Sequence, residues 1–170
     1  MGSVPQRETP EQPNHPDLGA LAARLLFGVQ DGLYEALEAA GFADVTRLHG
    51  AVFAHLDEEG TRSSELARRS GRHKQVIGRI VDELESLGYV ERRPEPADRR
   101  AKLVVPTERG VDVIRMSDEF IGELERRQAQ RLGRAEYDRF KQSLRKVTDA
   151  LSPGREREAE RASIPHEADR

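Results

Sequence analysis

The chain has 170 residues, 36% hydrophobic and 35% charged, with no cysteine and no tryptophan. That length fits one domain with tails, and so lean an apolar content calls for elongated helices and surface buried between subunits, while the lack of cysteine excludes disulfides, thiolate metal sites and thiol redox sensing. The net charge of −3 is uneven: residues 62–109 hold 12 Lys/Arg against 8 Asp/Glu, a net of +4, and the remainder 16 against 23, a net of −7.

Residues 1–15 carry Pro5, Pro10 and Pro13 among polar residues and read as a disordered arm. They lack the basic and apolar regions of a signal peptide. No run approaches the ~18 apolar residues of a membrane span, so a soluble, cytoplasmic protein is expected. A first helix is predicted from Pro16 or Asp17 to Ala40, because Leu18, Leu21, Leu25, Val29, Leu33 and Leu37 recur at steps of three and four. A second is predicted from Thr46 to Glu59, with Leu48, Val52 and Leu56 inward and Gly60 as its stop. A short third helix begins at Ser63 or Ser64 and ends at Gly71. A fourth spans His73 to Leu87, with Val76, Ile77, Ile80, Leu84 and Leu87 as its buried face and Gly88 behind it. Residues 89–92 and 101–105 read as two strands of a hairpin, since Pro94, Pro96 and Asp98 between them cannot lie in a helix. Thr107 caps a fifth helix to Arg131. A sixth, from Arg134 to Leu151, places Tyr137, Phe140, Leu144, Val147 and Leu151 on one narrow seam suited to a helix partner. Residues 152–170 form a charged tail without an apolar stripe.

Two helices joined by a tight glycine turn form a helix-turn-helix, whose second helix enters the major groove. Here that helix is 73–87, and His73, Lys74, Gln75, Gly78, Arg79 and Asp82 lie outside its buried face. Lys and Arg donate to guanine O6 and N7, and Gln pairs with adenine. Gly78 lets the helix approach base edges. Ser63 and Ser64, at the entrance to the motif, complete the helical set of candidate DNA contacts. The hairpin adds Arg92, Arg93, Arg99, Arg100 and Lys102 around an acidic, proline-bearing tip, a cation cluster suited to phosphates and the minor groove. Asp98, two residues before Arg100, can hold its guanidinium.

Ser64-Glu65-Leu66-Ala67, Val81-Asp82-Glu83-Leu84-Glu85, Gly88-Tyr89-Val90-Glu91-Arg92, residues 94–100 and Pro106-Thr107-Glu108-Arg109-Gly110 follow one another at a distinctive spacing. Through them the chain resembles the MarR (multiple antibiotic resistance regulator) family from about Val45 to Gly110. The resemblance implies a mainly α winged helix-turn-helix protein of six helices with a small β-wing. It also implies a helical dimerisation region formed by both termini: residues 16–44 and 108–151 as dimerisation helices around a DNA-binding domain at 45–107. Homodimer contacts then fall on Leu18, Leu21 and Leu25 and on the sixth-helix seam. The resemblance puts the fourth helix in the major groove and the wing in the minor groove. Arg79 falls where the family commonly contacts DNA; Arg100 corresponds to the wing arginine, with Asp98 as its orienting partner. Departures bear on the operator sequence: the recognition helix opens His73-Lys74-Gln75 where small polar residues are usual, Gly78 replaces a common Thr, and Pro106-Thr107 replaces a frequent Leu-Thr.

Many members of that family respond to small phenolic or aromatic effectors. The matching lining here is Phe27, Gln30, Asp31, Tyr34, Arg47, His49 and Phe53. A plainer reading makes Phe27, Tyr34 and Phe53 core and Asp31–Arg47 a structural ion pair. His49 and His55 are six residues apart and form no i,i+4 metal pair, and no phosphate loop, nucleophile elbow or facing carboxylate pair appears. A cofactor-free non-enzyme is therefore expected, with double-stranded DNA, a second copy and an aromatic effector as partners. The competing readings are a nonspecific architectural DNA-binding protein and a winged-helix protein-interaction module.

Overall fold

The structure is a computed structural model that describes residues 16–96, 98 and 100–151. The arm at 1–15, the tail at 152–170, Ala97 and Arg99 lie outside the described residues. The chain divides into two units between Phe120 and Ile121.

The first unit opens with α1 (Leu18–Ala39), started by Asp17, whose carboxylate accepts a hydrogen bond from Ala20 N at 2.8 Å. Its two halves differ. Leu37 is buried, with Leu33 and Tyr34 packed against the core, whereas Leu18, Leu21, Leu25, Leu26 and Phe27 are exposed. The predicted second helix contracts to α2 (Gly50–Phe53). Bonds from Val52 N to His49 O and from His55 N to Val52 O are three-residue turns, so the segment winds tightly rather than continuing as an α-helix. Leu48, expected inward, is 55% exposed.

Beyond α2, Thr61 and Arg62 form a short strand, β1, that the sequence pattern does not reveal. Next come α3 (Ser63–Ser70) and α4 (Lys74–Ser86). Gly71, at φ +68°, turns the chain between them, where an L side chain would be strained. The predicted hairpin is β2 (Val90–Pro94) with β3 (Lys102–Pro106), but it belongs to a three-stranded antiparallel sheet of order β1-β3-β2. Thr61 pairs with Val104 and Arg62 with Leu103 on one side of β3; Val90 to Pro94 pair with Pro106 to Lys102 on the other.

Ile77, Ile80, Val81 and Leu84 of α4 form one buried stripe against Val52, Leu66, Tyr89, Val104 and Val113. Burial of each such side chain contributes about 1.5–3 kcal/mol. Val76, expected on that stripe, is exposed. Helix α5 (Glu108–Leu132) also packs on this core through Val113, Ile114 and Met116 of its first turns. It starts close against β2: a Cβ on Gly110 would fall 2.1 Å from Tyr89 O, so only glycine fits. The second unit continues α5 and adds α6 (Arg134–Leu151), of which no residue is buried. Tyr137 and Phe140 lean together on its apolar side, ring centroids 6.2 Å apart, and Lys141 pairs with Glu125 of α5 at 2.5 Å.

Candidate nucleic-acid interface

The apolar stripe of α4 faces the core, so the helix must turn its other face outward. Lys74, Gln75 and Arg79 are exposed there, and His73 precedes them as N-cap without a side-chain capping bond. Among the described residues no hydrogen bond or ion pair holds the side chains of Lys74, Gln75 or Arg79. A Cβ at Gly78 would meet nothing within 4 Å. Cations and an amide therefore flank a bare stretch of helix. At the other end of the face, Asp82 and Glu85 are occupied by Arg92 of β2. Its Nη2 lies 2.5 Å from Asp82 Oδ1, Nη1 donates to Glu85, and its backbone N donates to Glu85 Oε1 at 3.2 Å. Arg92 is thus a strut between α4 and the wing, at 23% exposure, instead of the open cation expected from the sequence.

The wing differs from expectation in a second way. Asp98 does not hold the Arg100 guanidinium: its Oδ1 accepts from Arg100 backbone N at 3.1 Å, closing the tip turn. Arg62, which the sequence reading passed over, donates from Nε to Glu95 Oε2 at 2.6 Å. Arg100 and Lys102 stay exposed, Arg93 pairs with Glu91, and Arg99 lies outside the described residues. Ser63 is half-buried and Ser64 exposed at the start of α3. That helix is fixed by charge: Glu65 accepts from Arg68 and Arg69, which lowers its carboxyl to about 2, and Arg69 continues to Asp57 at 2.9 Å.

A second cluster ties α4 to the elements behind it. Tyr89, directly after α4, donates its hydroxyl to Asp44. Arg109 of α5 grips both Asp44 oxygens at 2.9 and 3.1 Å, lies 4.3 Å over the Tyr89 ring, and donates to Leu87 O at the C-cap of α4. Burial first, then the Asp44 bond, raises the Tyr89 phenol to about 12, and the same bond holds Asp44 below the usual carboxylate range. A phenol raised in the fold stabilises it fully below the unfolded value, near 10, and that contribution is lost as pH rises through about 12. Thermal unfolding midpoints should therefore fall between pH ~10 and ~12. Tyr89→Phe should cost about 1–2 kcal/mol at neutral pH and make the alkaline fall shallower. Tyr34, also raised by burial, leaves part of the fall in place. An alkaline limb identical in the variant would remove Tyr89 from the explanation.

The residues expected to line an effector site do not assemble as one set. Asp31, Tyr34 and Arg47 line a cavity of about 230 Å³ with Glu35, Glu38 and Phe42. Arg47 pairs with Asp31 and lies over the Tyr34 ring, which fits the plainer reading of an ion pair. Gln30 is half-buried on α1, and Phe27 is exposed. His49 and Phe53 belong to the core instead: Phe53 packs edge-on against Tyr89 at 5.9 Å, and His49 is fully buried. The His49 Nδ1 accepts from Thr46 N at 3.1 Å, and Nε2 faces Glu83 Oε2 at 3.4 Å without a hydrogen bond. Among the described residues no group of three or more His, Cys, Asp or Glu could hold a metal ion, and no helix is long and apolar enough to cross a membrane.

A helix-turn-helix followed by an antiparallel hairpin, with the second helix turned outward, defines the winged helix-turn-helix class. Residues 43–101 match the family model described as MarR family. Solved structures agree over a longer span. The chain is similar to CouR from Rhodococcus jostii RHA1 bound to p-coumaroyl-CoA, at 25% identity, 80% of this chain, 92% of that one and a TM-score of 0.63. It is similar to the reduced form of MarR from E. coli, at 25% identity over 79% and 98% with a TM-score of 0.63. The transcriptional repressor CouR on a 23-mer DNA duplex shares the fold, at 22% identity over 78% and 92% with a TM-score of 0.62. No curated protein sequence matches the chain.

Proposed function

We propose that the chain is a sequence-specific transcription regulator that binds a short inverted-repeat operator as a homodimer. In this reading α4 lies in the major groove and the β2–β3 wing follows the minor groove. The observation that carries it is the exposed strip of Lys74, Gln75 and Arg79 beside Gly78, donors with no partner among the described residues. Phosphate binding alone needs neither glutamine nor glycine there; reading base edges uses both. Residues 45–107 form the DNA-binding domain. Residues 16–44 and 108–151 supply the dimer, since the exposed leucines of α1 and the uncovered stripe of α6 each require a cover. CouR, which has been solved with p-coumaroyl-CoA and with DNA, supports a small-molecule effector for this chain as well, and the Asp31–Tyr34–Arg47 cavity is the proposed place for it. The proposed role is regulatory rather than catalytic.

Selection of bound genomic fragments, followed by salt-dependent titration of the best site, tests this. A short inverted repeat held far more tightly than random DNA is the expected result. Binding indifferent to sequence and abolished by salt would favour an architectural role, and no DNA binding at all would favour a protein partner.

Gly78→Ala separates folding from recognition. It should raise helix stability by about 0.8–1 kcal/mol, because glycine is a poor helix interior residue and the added methyl meets nothing. It should also weaken operator binding, because that methyl stands between helix and base edges. Calorimetry and operator titration on one sample decide it; tighter or unchanged binding would end the close-approach role of Gly78.

A further inference from the structure

The hairpin outgrows its sheet. β1 pairs with β3 only as far as Arg62↔Leu103, so the Pro94↔Lys102 pair and the tip beyond it have no third strand beside them. The tip is closed by three backbone bonds of its own, Glu95 N to Ala101 O, Asp98 N to Glu95 O, and Ala101 N to Asp98 O. None of these ties it to the rest of the domain, and a lone two-stranded hairpin is marginal in water.

Among the described residues, one side chain makes that tie. From the end of β1, immediately before α3, Arg62 reaches to the tip. Its Nε lies 2.6 Å and its Nη2 2.5 Å from Glu95 Oε2, and Asp98 Oδ2 is 4.0 Å from Nη2. The Glu95 side chain is only 19% exposed. The Nε hydrogen bond, with Nη2 in ion-pair contact with the same oxygen, fixes direction as well as distance. We infer that Arg62 is a positioning residue for DNA reading, a brace from the helix-turn-helix to Glu95 that sets where the wing presents Arg100 and Lys102. Its guanidinium, engaged by Glu95 with Asp98 nearby, steers the wing instead of acting as another phosphate ligand. This rests on the DNA-binding reading above.

Glu95→Gln gives a test whose sign is informative. Removing a negative charge from a DNA-facing wing should tighten binding if simple attraction to phosphate governs. Loss of the brace should weaken it, by about fivefold for an exposed ion pair of this kind. The unfolding midpoint should fall by only a few degrees. Amide hydrogen exchange in the free protein supplies the second readout: the Ala101 and Asp98 amides should exchange faster in Glu95→Gln while those of α4 are unchanged. The swap Arg62→Glu with Glu95→Arg should recover slow exchange and most of the affinity, whereas Arg62→Glu alone should lose both. Tighter binding by Glu95→Gln, unaltered tip exchange, or a swap no better than Arg62→Glu would overturn the inference. If wild type shows no operator preference, the DNA reading fails, and the exchange data on the free protein still decide the brace.

Discussion

With aspartate at both Leu144 and Val147, the chain should sediment at half its native mass and lose most of its affinity for a two-half-site operator. The expectation follows from the state of α6. Eighteen residues of isolated helix are marginal in water, and no residue of α6 is buried. Its stripe nonetheless carries Phe140 at 43% exposure, Val147 at 40% and Leu151 at 72%. Such a helix is stabilised by covering its apolar side, and each large side chain covered is worth about 1.5–3 kcal/mol. A carboxylate on that side must be desolvated or must push the partner away. Two half-sites read by linked domains gain a factor of about 10²–10⁴ over one. The monomer should lose a factor in that range on the full operator while keeping its weak affinity for a half-site. Sedimentation velocity and titration of full and half operators measure both. Gln142→Asp, on the polar side of the helix, should change neither. A double variant that remains dimeric would move the interface away from α6.

The parts of the fold legible in the sequence are those where one period runs long enough to be counted. α1, α4, α5 and α6 each carry an apolar repeat over three or more turns, and their observed limits lie within two residues of expectation. Among the short elements, α3 and the β2–β3 hairpin were legible from their serines, Gly71 and prolines, whereas β1 was not. β1 has two residues, too few for any alternation, and exists because β3 has a free edge at Leu103 and Val104. The region from Thr46 to Glu59 has helical spacing yet winds in tight turns, because tertiary packing of Val52, Phe53 and Leu56 outweighs local propensity.

Charged side chains were legible as a set and not one by one. Composition identified a basic wing, but it cannot say which arginine meets a carboxylate. Arg92 meets Asp82 and Glu85, Arg62 meets Glu95, and Arg109 meets Asp44, from 7 to 65 residues away in sequence. After those pairings, the cations on the exposed face of α4 without a partner among the described residues include Lys74 and Arg79. The family resemblance alone implies His49 as an effector contact; its zero exposure places the side chain in the core.

Arg79→Ala should flatten base discrimination at one position of each half-site and cost about 1–3 kcal/mol on the preferred operator, roughly a factor of five to 150. Arg79 follows Gly78, where the backbone face is open, and its side chain is exposed on the strip shared with Lys74 and Gln75. A planar guanidinium there can address two acceptors on one base edge, which an ammonium cannot do with the same geometry. Arg79→Lys should therefore recover little of the discrimination while restoring the charge. Lys74→Ala, at the first turn of the same helix, provides the contrast. A side chain that meets phosphate should weaken all sequences alike and lower the salt slope by about one. Competition titrations of Arg79→Ala against operators varied at each base pair, at two salt concentrations, separate the two behaviours. Loss confined to one base position identifies Arg79 as a base reader. Equal loss on every sequence, with a reduced salt slope, would assign it to the phosphate backbone and leave Gln75 and the wing to carry sequence recognition.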